Sequence, residues 1–323
     1  ERAATLPKSG NAEGATVIVS PLGGITVRIG TTPQGQGHRT VCAQVVGDAL
    51  GVRPEDVEVL TDLDTSTSAW SVASGNYSSR FSGVGTGAVH MAAHKVAAKL
   101  RAIAATELGC GPGDVELREG KAWHGDESRS VRRLAGVAHW NPDALPLGVE
   151  PGLHETAFYQ APNLAPPDEE DRVASSAAHG FIADVAVVEI DRATGALTVL
   201  DYATVHDAGR LLNPLLAEGQ VRGGFAHGAG PALFERMVYD EDGNHLTGSF
   251  MDYLCATAPE LPPLTIGHRE TPSPFTLLGA KGLGEGNTMS VPAAIAAAAA
   301  DALGAEQVEL PLTPARVWEA LRP

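Results

Sequence analysis

The sequence predicts an α+β fold, with mixed β-sheets and packed long helices, on two observations. Apolar, β-branched runs come in pairs around tight turns, at residues 14–30 and again at FIADVAVVEIDRATGALTVLDYATV, which is the pattern of antiparallel hairpins. Long stretches at helical spacing lie outside those hairpins. Strands and helices are therefore segregated rather than alternating, which favours α+β layers over a doubly wound parallel sheet.

Taken in order, GATVIVSPLGGITVRIG (14–30) gives two strands around a Pro/Gly turn and leads straight into GTTPQGQGHRT (30–40). Val41, Cys42, Val45, Val46, Ala49 and Leu50 then recur with helical period, so 38–50 should be an amphipathic helix stopped by Gly51. VRPEDVEVL reads as a short strand, and the Gly/Ser-rich stretch 70–87 as a loop. Val89, Ala93, Val96, Leu100 and Ile103 mark a long helix ending near Gly109, with Lys95, Lys99 and Arg101 expected on its exposed face. Residues 121–178 lack a period and read as a crossing or linker with a solvated acidic excursion around 165–176. After the second hairpin, turning at DRATG, a helix should start near Pro214. Two more close the chain, one at 291–303 and one opened by Thr313 as N-cap before Pro314. No internal repeat is visible.

Composition narrows the function. With 323 residues, 43% hydrophobic and 19% charged, the chain can bury two or three ordinary cores. The balance of 23 basic against 39 acidic residues, net −16, argues against a nucleic-acid binder, since few cations are available to displace counterions from phosphate. An anionic ligand would have to be held by backbone N–H groups. The three cysteines, Cys42, Cys110 and Cys255, are far apart with no C-x-x-C, so neither a disulfide framework, an iron–sulfur cluster nor a zinc ribbon is encoded. A reducing, cytoplasmic setting is expected, with no membrane span. The chain opens on Glu1 without a signal-peptide pattern, which suggests a piece of something longer.

Three glycine-rich loops stand out: GTTPQGQGHRT (30–40), GNYSSRFSGVGTG (75–87) and GAKGLGEGNT (279–288), with GQVRGGFAHGAG (219–230) as a helical fourth. None is a Walker A loop or a good dinucleotide fingerprint, and neither a G-x-S-x-G elbow nor H-E-x-x-H occurs. Each alone reads first as an ordinary turn, because glycine tolerates positive φ. Together, with Gln36, Gln220, Ser78 and Ser79 as neutral hydrogen-bonding groups, they suit a cradle for a large, anionic, nitrogen-rich cofactor. Glu285 has two readings. It is a surface turn carboxylate, or a general base exposed by its glycines and shifted by apolar Leu283, Met289 and Val291. His206 and Asp207 in TVHDAGRLLNP read as structural polar groups at a strand end rather than as a catalytic pair.

The order of these motifs resembles the molybdenum-binding subunit of the xanthine dehydrogenase and aldehyde oxidase family. The carriers are GTTPQGQGHRT before a helix, then GNYSSR, HDAGRLLNP with EGQVRGGFAHG, GAKGLGEGNTMSVPAAIAAAAADAL, and a closing PLTPARVWEAL. The P-x-G-Q-G-H form is similar to bacterial carbon-monoxide-dehydrogenase-like large subunits. The likeness runs over nearly the whole chain but covers only the C-terminal part of the family's large subunit, as the half of a molybdopterin-binding domain.

The resemblance implies two α+β subdomains, 1–150 and 151–323, the second carrying the catalytic loop. It implies molybdenum held through the dithiolene of a molybdopterin, in bacteria often the cytosine dinucleotide, with no protein ligand to the metal. Carried over motif by motif, Gly35, Gln36, Gly37 and His38 would contact the cofactor. Ser78, Ser79, Arg80 and Ser82 would bind pterin and phosphates, and Gln220, Lys281, Gly282 and Gly284 complete the cofactor set. Tyr77 and Phe81 would line the pocket, and Glu285 matches the catalytic glutamate. His227 stands where many relatives have Gln, and Ala208 where many have Cys. The implied chemistry is hydroxylation of an aldehyde or N-heteroaromatic carbon with water, not O2, as oxygen source. Carbon monoxide is the alternative substrate. Two electrons would leave to partner chains carrying 2Fe-2S and FAD, alongside the N-terminal portion of the molybdenum subunit, in a possible dimer of heteromers. A different class of function also fits: a non-catalytic cofactor-binding or assembly module.

Overall fold

The computed structural model describes residues 12–62, 64, 66, 77–165 and 167–322. The chain divides into two compact units, one of Arg2–His179 with Pro272–Gly282, the other of Gly180–Thr271 with Leu283–Pro323.

In the first unit, β1 (Ala12–Val19) and β2 (Ile25–Ile29) form the expected hairpin. β1 is buried on both faces along most of its length, because it lies mid-sheet; the strand order is β3-β2-β1-β7, with β3 at Val57–Leu60 and β7 at His154–Gln160. α1 (His38–Leu50) has the bounds its apolar spacing predicts. Gly51 ends it at φ 65, and a side chain there would run into the backbone of Leu117, so glycine is required both by conformation and by space. α2 (Thr86–Leu108) is the central helix. Ala88, Ala92, Val96 and Leu100 are all fully buried, and Gly109 caps it at φ 66.

Several expectations are corrected in this unit. Residues 70–76 lie outside the described set, but the rest of the supposed loop is not irregular. Phe81–Gly85 forms a π-helical turn that runs directly into α2, with Val84 fully buried. Lys99 and Arg101 are half-buried rather than exposed. Lys99 pairs with Glu155 at 2.5 Å and Arg101 Nε donates to the Val115 carbonyl, because α2 lies against β7 and the turn before the next strand. The segment from 121 to 160 is not a linker. β4 (Glu116–Arg118), β5 (Lys121–His124) and β6 (Glu127–Ser130) make a small antiparallel meander, followed by α3 (Val131–Trp140). A signal for α3 was present. Ser130 accepts from the Arg133 N–H as N-cap, and Val131, Leu134, Ala135 and Ala138 follow at helical spacing. Because β7 pairs with β1, residues 151–179 group with the first unit, and the boundary falls at Gly180 rather than at 151. The acidic excursion is exposed from 168 to 174, folded on itself by Arg172 and Asp168 at 2.8 Å.

In the second unit, β8 (Phe181–Ile190) and β9 (Leu197–Asp207) form the hairpin read from the sequence, with a bulge between Val187 and Val188. α4 (Pro214–Leu233) starts as expected, capped by the Asn213 side chain accepting from the Leu216 N–H. β10 (Leu264–Arg269) was not foreseen; it pairs in parallel with β9, placing β9 mid-sheet. α5 (Gly286–Leu303) begins a full turn earlier than residue 291, and α6 (Pro314–Ala320) follows Thr313, whose hydroxyl makes no capping bond. Val199, Tyr202, Phe225, Ala229, Val291, Ile295, Ala299 and Val317 form the unit's core. No helix among the described residues is long and apolar enough to cross a membrane.

Candidate cofactor and active site

In the first unit, the loop between β2 and α1 adopts the conformation its glycines allow. Gly35 and Gly37 sit at φ 98 and 87, and the space where a Gly35 side chain would lie is open. Gln36 is exposed and folds back so that its Oε1 accepts from the Gln34 N–H at 2.6 Å. Gly37 occupies the N-cap position of α1 and offers no side chain to it. The positive end of the helix dipole and its first-turn N–H groups are therefore not capped by that residue.

The second loop is built differently. Ser78 and Ser79 are consecutive residues in the left-handed region, φ 53 and 51, a conformation that side-chain-bearing residues adopt rarely. Ser82 Oγ donates to the Ser79 carbonyl at 2.9 Å and fixes the following turn. Tyr77 is exposed, with the Arg80 guanidinium 5.7 Å from its ring.

Two expected cofactor residues are instead interior. Arg80 is fully buried, paired with buried Glu13 at 2.9 Å and donating to the Ala12 carbonyl at 3.2 Å. Its charge is committed to β1, because helical geometry starts at Arg80 and turns its side chain into the unit. His38 is also fully buried, its ring 3.7 Å from that of half-buried Phe81. Neither ring nitrogen has a hydrogen bond of good geometry. Burial pushes the imidazole down to about 4, against an opposing influence of the Thr31 backbone.

The stretch GAKGLGEGNT is divided between the units: Lys281 and Gly282 belong to the first, Gly284 and Glu285 to the second. In the first unit, the Ser273 N–H donates to the Gly279 carbonyl at 3.0 Å and the Thr276 hydroxyl donates to the Ala280 carbonyl. In the second, Glu285 is exposed at the N-cap position of α5, at φ −99 and ψ 2, and its carboxylate makes no capping bond to that helix. The apolar enclosure expected around it is not built by its sequence neighbours. Met289 is 61% exposed, and Val291 is buried in the core where α5 packs on α4. Gln220, expected at the cofactor, donates from Nε2 to the Gly284 carbonyl at 3.0 Å.

Some glycines serve packing rather than a ligand. A Cβ at Gly228 would lie 2.8 Å from both the Asn287 carbonyl oxygen and Val291 Cβ, so α4 and α5 touch through bare backbone. His227 is exposed on α4, and Ala208 is buried after β9. His206 and Asp207 are structural as read. The buried His206 ring faces the Thr204 hydroxyl at 3.1 Å, and Asp207 accepts from the Gly209 and Thr271 N–H groups and from the Thr271 hydroxyl. Glu13, Thr204 and Asn287 went unnoticed in the sequence. The one signal for Glu13 was a lone carboxylate in an otherwise apolar strand.

Among the described residues, no group of three or more His, Cys, Asp or Glu side chains could hold a metal ion. Residues 2–262 match the family described as molybdopterin cofactor-binding domain. The chain belongs to the molybdopterin cofactor-binding family. This molybdopterin-binding chain is 38% identical over 314 residues to the nicotine 6-hydroxylase large subunit of Paenarthrobacter nicotinovorans, covering 95% of itself and 36% of that protein. It is 34% identical to the carbon monoxide dehydrogenase large chain of Hydrogenophaga pseudoflava, with the same coverage. It is also similar to the crystal structure of quinoline 2-oxidoreductase from Pseudomonas putida 86, with TM-score 0.81 and 33% identity over 97% of this chain and 38% of that one. The molybdopterin-binding chain thus spans little more than a third of the curated relatives it matches.

The residues present fit such a cofactor. The head of α1 receives no side-chain cap from Gly37, and the space beside Gly35 is open. These suit an anionic organic group that brings its own metal, rather than a metal held by side chains.

Proposed function

We propose that the chain is the C-terminal part of the molybdenum-bearing subunit of a molybdenum hydroxylase, with Glu285 as its catalytic base. The observation that supports the reading is the placing of Glu285: an exposed carboxylate at the head of α5, not used to cap that helix, in the stretch whose sequence resembles the family's catalytic loop. When bound, the molybdenum–pterin group would supply a Lewis acid that activates water and accepts two electrons. The Glu285 carboxylate would take the proton from that water as its oxygen attacks the substrate carbon. Gly35, Gln36, Gly37 and the Ser78–Ser82 turn would hold the cofactor through backbone N–H groups. Lys281, Gly282 and Gly284 would shape the edge of the site, and Tyr77 would border the substrate. Gln220, through its bond to Gly284, would keep the loop in place.

An N-heteroaromatic substrate is favoured, since relatives named for nicotine and quinoline stand among the matches; an aldehyde or carbon monoxide is the alternative. The cofactor would be the cytosine dinucleotide form. Electrons would pass to iron–sulfur and flavin partners in a cytoplasmic complex that also holds the N-terminal portion of the molybdenum subunit, itself a possible dimer of heteromers.

Glu285→Gln in the assembled enzyme should keep its molybdenum and lose turnover by about 10²–10⁴-fold. Retained turnover rejects the base. Elemental analysis of the purified complex separates the enzyme from a non-catalytic module: stoichiometric molybdenum is expected, and none with all partners present supports the module.

A further inference from the structure

Glu285 stands between two residues, Gly284 and Asn287, that are each tied by a side-chain hydrogen bond to another element of its own unit. On one side the Gly284 carbonyl accepts from Gln220 Nε2 at 3.0 Å. On the other, Asn287 is 2% exposed and donates from Nδ2 to Thr204 Oγ1 at 3.0 Å; that hydroxyl is in turn 3.1 Å from His206 Nε2. Thr204 and His206 are buried on β9, the strand paired on both edges, so the anchor sits on the central strand of the sheet.

Glycine packing makes this anchor reach the helix. With no side chains at Gly224 and Gly228, α4 comes close enough that a Cβ at Gly224 would lie 3.4 Å from Asn287 Cβ, and one at Gly228 2.8 Å from its carbonyl oxygen. Asn287 is therefore clamped from both sides. It is held by a hydrogen bond to the sheet and by the bare backbone of α4. A solvent-facing asparagine in a helix's first turn would need neither contact. Sites with catalytic geometry hold their reacting groups through such buried supporting bonds on rigid elements.

We propose that Asn287, held by Thr204 and His206, is a positioning residue for Glu285. It fixes the first turn of α5, and so the direction in which the Glu285 side chain leaves the backbone. The proposal rests on the reading of Glu285 as the base. Small displacements of a catalytic group suffice to matter, since about 1 Å of misplacement can cost on the order of 10²-fold in rate.

The test uses the assembled, molybdenum-loaded enzyme. Asn287→Ala removes the donor, Thr204→Val removes the hydroxyl at constant shape, and Thr204→Ser keeps the hydroxyl. The first two should lower kcat by roughly 10–100-fold with KM and molybdenum content unchanged. They should also speed amide hydrogen exchange across residues 285–290 by about tenfold or more. Thr204→Ser should retain wild-type values of both. Unchanged exchange across 285–290 in Asn287→Ala and Thr204→Val overturns the proposal, as does faster exchange with kcat intact. Failure of both variants to assemble also overturns it, because the cluster is then a requirement of folding. Glu285→Gln separates the two readings. If it loses turnover while Asn287→Ala matches wild type in exchange and rate, the positioning role alone fails. Full turnover in Glu285→Gln removes the base and its positioning residue together.

Discussion

The two units hold their glycine-rich loops by opposite means. In the first, the turn at residues 77–85 is secured by burying polar groups: the Arg80–Glu13 ion pair and the His38 ring packed at a tilt against Phe81. In the second, the Glu285 segment is secured by neutral hydrogen bonds, Gln220 to the Gly284 carbonyl and the Asn287 side chain to the Thr204 hydroxyl, and by close passage of α4 and α5 at Gly228, while the carboxylate itself stays exposed. Buried charge tolerates no loss of a partner, whereas neutral tethers can be removed one at a time. A residue's charge in a glycine-rich loop is thus a poor guide to its role. Arg80, the attractive anion ligand, is part of the interior, and the carboxylate is the group left at the surface.

This contrast can be broken most forcefully at the ion pair. Arg80→Met should destabilise the first unit by about 3–5 kcal/mol, because Glu13 keeps a buried charge without its guanidinium partner. The double variant with Glu13→Leu should recover most of that loss. Thermal unfolding of the assembled enzyme checks both, and a double variant as unstable as the single would show that the pair is not the anchor.

The pH dependence of the same unit is a second handle. Below pH 6.5 an unfolded His38 takes up a proton, while the buried ring does so only at about 4. The unfolded state then binds more protons, so stability present above pH 6.5 is lost as pH falls toward 4, by up to about 3 kcal/mol. His38→Leu should remove that part of the slope, read from unfolding midpoints between pH 7.5 and 4.5. An unchanged slope would place the titration elsewhere.

In the second unit the expected cost is smaller. Gly228→Val should cost about 1–3 kcal/mol by forcing α4 off the first turns of α5. It should also raise hydrogen exchange across residues 285–290, while Gly223→Ala, on the open side of α4 with nothing within 4 Å, should not. Equal effects of the two would argue that helix propensity rather than close packing governs this face.

Where a local signal was complete, the sequence was legible. The bounds of α1 follow from six apolar residues and Gly51, the start of α4 from Pro214, and the β8–β9 hairpin from two alternating runs around DRATG. Each depends on spacing and caps within a few residues. The strands of the small meander are three or four residues long, too short for a period to show, and β10 takes its place only by pairing with β9.

For the site, the order of the glycine-rich motifs was readable in the sequence, and so was the tolerance of their glycines for positive φ, which depends on the chain's own local chemistry; the role of Glu285 rests on the resemblance. The commitments of Arg80, His38, Gln220 and Asn287 were not readable. Arg80 meets a carboxylate 67 positions away, and Asn287 meets a hydroxyl 83 positions away. Burial of a polar side chain is set by what the other strands and helices leave for it to bond, a non-local quantity that only the folded chain supplies.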